Sequence, residues 1–476
     1  MEQLYFISQN KALALVFLSS LFFSVIGILY SRKYRGSLNY LTAGRSTGTL
    51  SLTSSLVASA LGAWILFGPA SAATWGGIGS VIGYSLGTAF PMIALIYLGK
   101  KIRKTFPTGV TFTQFIYYKI GKKLFKFIIL LSIFYMFIFL CAEVTAVATL
   151  INYISNAPLW ITAALVIVTT LIYTLYGGLR ASIITDNFQF FIIIVLLLVC
   201  INNIFSSDLL SYENITNNSG YLLSGKYMPN YTAGLTFFIA VFATNLFHQG
   251  NWQRVFAAKN YEVLNRSLKL SFLIIIPIVF FMGATGIIAI SIDSKVVPDM
   301  SFFSILLKDK NELLYMIIIV LAISLTVSTI DTIVNAISSL IIVDGGKINK
   351  KIKSPNYIVI FLSIIVFFIA SKGFSILYLF LLADLLCCAA VFPVFYGFYK
   401  KKINEKKTII SILIGLFLGL VVFPSPDFSK SLLIGTLLSF DLFPEIISSS
   451  LLFLSFLFAT LAPVIVIMSY DSIKRR

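Results

Sequence analysis

The sequence predicts an all-α membrane protein of about thirteen transmembrane helices, and three observations carry that prediction. Hydrophobic residues make up 58% of the chain against 11% charged, with a mean hydropathy of +0.96, a balance no soluble domain of this length could bury. Apolar runs of spanning length recur from one end of the chain to the other. Basic clusters fall between those runs on alternate sides, so the net charge of +18 reads as an orientation signal in short loops. That distribution argues against nucleic acid as a partner and for the lipid bilayer as the surroundings. Cys141, Cys200, Cys387 and Cys388 sit inside apolar runs and read as small hydrophobes, with no spacing suited to a disulfide framework or a metal.

The first apolar run, roughly 11–30, is followed by Arg32, Lys33 and Arg35 and is closed by no small-residue cleavage site. It reads as an uncleaved extra helix that leaves the N-terminus outside. Runs at roughly 50–73, 77–99, 124–154, 158–177 and 183–205 form a first set, and 232–250, 269–292, 314–343, 356–371 and 374–399 a second. Two more, roughly 408–424 and 447–470, close the chain. The whole of 1–476 is thus one embedded unit: an N-terminal helix, a first repeat over 50–205, a second over 232–399, and a C-terminal pair over 408–470. The stretch 430–446 is apolar but holds Asp441, Pro444 and Glu445, and reads as a loop or interfacial piece. Lys100/Lys101/Arg103/Lys104, Lys347/Lys350/Lys351/Lys353 and Lys400/Lys401/Lys402 land on one face, whereas the opposite loops hold Asp208, Glu213, Asp293, Asp299 and Asp427. The positive-inside rule makes the basic face cytoplasmic, with the N-terminus out, the C-terminus in, and the plasma (inner) membrane as location.

Two spans are interrupted. The first runs from Ala58 to Pro69 with Gly62, Gly68 and Pro69 near its middle; the second ends on Asn245, Phe247, His248, Gln249, Gly250 and Asn251 at membrane depth. Unwound backbone there is tolerated only inside protein or around a cavity. Breaks at corresponding places in two halves point to two inverted five-helix repeats and a site at their interface. Close helix packing would account for Gly62 but not for the polar group around His248.

The stretch Leu321 to Asn335 places Ser324, Ser328, Thr329, Asp331, Thr332 and Asn335 in an otherwise apolar span. Leu325, Ser328, Thr329 and Thr332 share one face, with Asp331 at its edge. Hydroxyls, carbonyls and a carboxylate are hard oxygen donors suited to a small hard cation. The plainer reading is that the hydroxyls bond back to their own helix and Asp331 caps a neighbour; the added carboxylate favours an ion site. Glu143, Asp186 and Asp384 are the other intramembrane acids, and Asp186 has pairing with Arg180 as a structural alternative. His248, the one histidine, reads by default as a satisfied polar group. The solute-pocket candidates are Trp64, Glu143, Asn245, Phe247, His248 and Gln249, an acid among aromatics that suits an amine or zwitterion.

Leu41 through Ser46, Trp64 through Pro69, Tyr176-Gly-Gly-Leu-Arg through Gln189, Trp252-Gln-Arg through Lys259, and Val327 through Thr332 with Asp344 occur in order over most of the chain. In these pieces the chain resembles the sodium/solute symporter family, which includes proline, pantothenate and glucose symporters. The resemblance implies a leucine-transporter-type core of two inverted five-helix repeats with broken first helices. It implies Na+ as coupling ion, held at a main site by the carbonyls of Ala58, Leu61 and Leu325 and the hydroxyls of Ser328 and Thr329. It also implies a possible second ion site at Asp186, Asp331 and Thr332. Proline-type members carry an aspartate where this chain has Ala60, so proline specificity does not transfer.

The expected function is a sodium-coupled secondary symporter, not an enzyme, importing a small polar solute such as an amino acid or related nitrogenous compound by alternating access. Its partners are then the solute, sodium ions and lipid. Proton-coupled transport of urea or a monocarboxylate and a transporter-like membrane sensor are the alternatives. No nucleophile–base pair, metal-ligand cluster or phosphate loop supports an enzyme.

Overall fold

The computed structural model describes residues 6–34, 36–206, 212–308, 311–348, 355–400, 403–426, 428, 430–431, 433 and 450–473. Helix dominates it. Among the described residues nine helices are long and apolar enough, by length and composition, to cross a membrane. The expected loop piece at 430–446 lies almost wholly outside the described residues.

The expected second and third spans emerge as Thr49–Ala60, a non-helical break, and then one long element, Gly68–Thr105. Gly77 divides that element at φ 56°, where a Cβ would run into the Leu222 carbonyl and Asn230. Only glycine turns the chain so tightly against its neighbour. Leu159–Ser206 likewise joins two expected spans, divided at Gly178 (φ 58°), which lies hard against Tyr40. Lys122–Ser155, Pro229–Phe247, Tyr261–Ile292, Glu312–Leu340 and Ile376–Tyr396 fall on single expected runs. Pro355–Ala370 is shorter, and Glu405–Val422 opens with Glu405, Lys406 and Lys407, so neither counts among the nine.

Packing puts the polar helix at the centre. In Glu312–Leu340 and its continuation to Gly345, 78% of the apolar window is buried by protein, against 28% for Leu159–Ser206. The hydroxyls and Asp331 therefore face protein and not lipid. Gly83 and Gly87 let Gly68–Thr105 lie backbone to backbone on Pro229–Phe247, since a Cβ at Gly87 would stand 2.9 Å from the Phe237 carbonyl. Small residues permit that approach where lipid offers helices no hydrophobic drive to associate.

Candidate ion and solute site

Both expected breaks are present. Leu61 leaves helical geometry (φ −98°, ψ 83°), Gly62 is extended, and the chain resumes in the short turn Ala63–Leu66. The second break is a single residue, His248 (φ −67°, ψ 115°), between Pro229–Phe247 and Gln249–Ala257. Carbonyls freed by such breaks are available to a ligand.

The first break lies against the polar helix. A Cβ on Gly62 would overlap Glu143 Oε1 and stand 2.7 Å from Thr329 Oγ1. Thr329 Oγ1 donates back to the Leu325 carbonyl at 3.3 Å, and Ser328 Oγ donates to Asp186 Oδ1 at 2.6 Å. Each hydroxyl has spent its proton and keeps oxygen lone pairs for a cation. Ala58, Leu61, Leu325 and Ser328 are fully buried, and Thr329 nearly so. The two hydroxyls and the backbone carbonyls released at the first break are hard oxygen donors, a set chemically suited to Na+.

Around Asp186 the structure holds a built-in cation. Arg254, fully buried, reaches from the helix after the second break. Its Nη2 donates to Asp186 Oδ2 at 2.7 Å and to Thr332 Oγ1 at 2.8 Å, its Nε to Ser55 Oγ at 2.8 Å, and its Nη1 to the Gly250 carbonyl at 3.1 Å. Arg180 does not pair with Asp186; it donates to the Ala43 carbonyl and Ser46 Oγ and stacks on Tyr34. Asp331 is held separately, accepting from Tyr173 Oη (2.5 Å), Ser182 Oγ (2.7 Å) and Thr185 Oγ1 (3.1 Å). Asp186, Asp331 and Thr332 do cluster, but a guanidinium occupies part of the space between them.

A cavity of about 40 Å³ lies between the two breaks. Of the expected pocket residues, Trp64, Asn245 and His248 line it. Glu143, Phe247 and Gln249 do not. Glu143 Oε2 accepts from Ala63 N at 2.9 Å, Phe247 packs on Phe112 and Tyr135, and Gln249 is tied to Val110, Phe112 and Ser339.

The lining the sequence left unassigned is the more informative part. Asp384 borders the cavity, with one carboxylate oxygen accepting from Thr244 Oγ1 at 2.6 Å. Tyr84, stacked on Trp64 with centroids 5.8 Å apart, joins Phe139 and Phe380 in an aromatic wall. Asn245 and Asn251 also line the cavity; each donates one amide N–H to a backbone carbonyl, of Val241 at 3.0 Å and of Asn245 at 2.7 Å, and keeps a second N–H and an amide oxygen. His248 Nδ1 accepts from Gly250 N at 3.0 Å, so the ring's N–H is at Nε2. Asp384 had a signal in the sequence, an acid alone in an apolar run, but nothing local said which cavity it faced.

A second cavity holds Ser71, Trp75, Asp299 and Ser375 near the loop after Ile292. Ser71 Oγ donates to Asp299 Oδ1 at 2.9 Å, and burial pushes the Asp299 carboxyl above its ordinary range while that hydrogen bond opposes the shift.

Apolar spanning helices and two breaks around a cavity that mixes aromatic and polar side chains point to a membrane transporter. The sequence matches the sodium:solute symporter family over residues 40–415. The chain belongs to that family. A curated relative, the spermidine transporter DUR31 of Candida albicans (strain SC5314), is 26% identical over 392 residues, covering 81% of this chain and 74% of its own length. Among solved structures, a Na+-coupled sialic acid symporter in a substrate-bound outward-open state aligns with a TM-score of 0.72, at 16% identity over 96% of each chain. A nucleobase-cation-symport-1 family transporter in a closed conformation aligns with a TM-score of 0.54, at 16% identity over 91% of this chain and 96% of its own. These likenesses show a leucine-transporter-type fold.

Proposed function

We propose that the protein is a sodium-coupled symporter that imports an organic amine by alternating access. One observation carries the choice of solute: the cavity between the breaks combines the Asp384 carboxylate with an aromatic wall. A carboxylate among ring faces recognises an ammonium group and disfavours an anion. The likeness to a spermidine transporter supports the same class. Sodium is proposed at the carbonyls of Ala58, Leu61 and Leu325 with Ser328 and Thr329. Thr329 also lines the solute cavity, so ion and solute share one wall. Binding there ties the first broken helix to Glu312–Leu340, and the transport cycle is biased by differential ion affinity between two states. Asp186, Asp331 and Thr332 are proposed as a second cation region in which Arg254 already supplies one positive charge. About thirteen spans in two inverted repeats, an outside N-terminus, a cytoplasmic C-terminus and a plasma-membrane location complete the reading.

The reading is tested by uptake into proteoliposomes of labelled linear mono-, di- and polyamines under an imposed sodium gradient, with amino acids, urea and short monocarboxylates as competitors. Amine uptake should follow the gradient and resist those competitors. Amine uptake indifferent to sodium, or none at all, would remove the proposal. Because His248 Nε2–H offers a donor toward the same cavity, a zwitterionic amino acid is the second reading, and strong competition by one would favour it.

A further inference from the structure

Glu143 is fully buried on Lys122–Ser155 and faces the first break. Half of its carboxylate has a structural explanation: Oε2 accepts from Ala63 N and so caps the turn that resumes the chain after Gly62. The other half has none. Oε1 is buried and has no hydrogen-bond partner among the described residues. Leaving a buried acceptor unpaired is costly, and more so when it is charged.

The place where this oxygen waits is specific. Glu143 Oε1 and Thr329 Oγ1 converge on the point where Gly62 lacks a side chain. Gly62 follows Leu61, whose freed carbonyl belongs to the proposed sodium donors, and Thr329 is another of them. An unpaired carboxylate oxygen that meets those donors in a buried, water-poor setting is completed by a cation.

We propose that Glu143, through Oε1, supplies a formal negative charge to the main cation site. The inference rests on the sodium reading above and adds to it. It takes Glu143 away from the solute and gives the solute's ammonium to Asp384. Nearby groups do not duplicate the role. Thr329 and Ser328, facing from Glu312–Leu340, carry no charge; Asp186, behind Ser328, is paired with Arg254; Asp384 and His248 border the solute cavity onto which Thr329 opens.

Glu143→Gln separates charge from architecture, because its amide oxygen can still accept from Ala63 N and its volume is nearly unchanged. The measurement is the sodium concentration giving half-maximal amine uptake by the full chain in proteoliposomes, beside KM for the amine at saturating sodium. In Glu143→Gln half-maximal sodium should be about tenfold higher or more than in the parent, the scale of one charge-assisted contact, with KM for the amine little changed. A parent-like sodium dependence in Glu143→Gln overturns the inference, as does an equal rise in KM for the amine at saturating sodium. Glu143→Asp serves if the amide variant does not fold: a raised half-maximal sodium with KM for the amine kept supports the assignment, and a parent-like value overturns it. Sodium-indifferent uptake by the parent protein fails the symport reading itself, which keeps the two failures apart.

Discussion

Replacing Asp384 with Asn is the most direct probe of solute recognition. The substitution keeps a side-chain oxygen for the Thr244 hydroxyl, which now bonds the carboxylate at 2.6 Å, and it keeps the volume of the cavity wall. Only the charge is lost. A hydrogen bond to a charged partner contributes about 1.5–3 kcal/mol, and about 1.4 kcal/mol corresponds to a factor of ten. KM for a primary amine should therefore rise about 10- to 100-fold, while half-maximal sodium shifts little, because Asp384 lies on the solute side of Thr329. The assay is sodium-driven uptake of a labelled alkylamine, with inhibition by the amine compared against inhibition by the alcohol of the same length. The variant should lose its preference for the amine over the alcohol. An unchanged KM for the amine, or equal weakening of amine and alcohol, would refute the ammonium–Asp384 contact.

Three further outcomes follow from the same geometry. Ser328→Ala and Thr329→Ala should each raise half-maximal sodium with small effects on expression; sodium titration of uptake checks this, and unchanged values in both would remove them from the main site. Arg254→Gln should lower the melting temperature sharply, since leaving one partner of a buried pair uncompensated costs about 3–5 kcal/mol, and Asp186→Asn added to it should recover part of the loss. Asp299→Asn should raise the melting temperature at neutral pH and have no effect in acid. Burial raises the folded-state pKa of Asp299 above its unfolded value, so its contribution is fully present below the unfolded pKa and is lost as pH rises through the folded one. Melts in acid and at neutral pH test that sign.

Much of the fold was legible because its signals are local. Hydropathy marked the spans, and the polar run around His248 and the Gly62–Pro69 stretch marked the breaks where the helices do unwind. The expected run boundaries after 73 and after 177 fall at Gly77 and Gly178, where a positive-φ kink separates two helices that follow one another directly. In the site, the periodicity of Leu321–Asn335 placed Ser328 and Thr329 on one buried face. Which partner each acid meets is a long-range property. Asp186 meets Arg254, 68 residues away, in preference to Arg180 in the same motif. Phe247 and Gln249 flank the second break in sequence, yet their side chains turn away from the cavity, to Tyr135 and to Phe112. Glu143, 80 residues from Ala63 in sequence, turns to the backbone of the first break, and Asp384 reaches the cavity from Ile376–Tyr396, far beyond the second break in sequence. Proximity to a break in sequence could not sort one group from the other.

The charge pattern unites the ion and solute assignments. Within the spans Glu143, Asp186, Asp331 and Asp384 are all buried, and Arg254 alone among the described buried side chains there answers them with a full positive charge. It is committed to Asp186. Asp331 is solvated by four hydroxyl donors, of Tyr173, Ser182, Thr185 and Thr332, which can hold it as a carboxylate or share it with a proton. Glu143 and Asp384 have no such escort: each spends one oxygen on a neutral donor. Thr329 is common to both neighbourhoods: its hydroxyl meets Glu143 at Gly62, and it lines the cavity that Asp384 borders. A sodium ion beside Glu143 and an ammonium beside Asp384 would each neutralise one acid. Binding either lowers the cost of ordering the wall they share. On this reading coupling needs no long-range relay: the two cations cooperate because one residue, Thr329, belongs to both their sites.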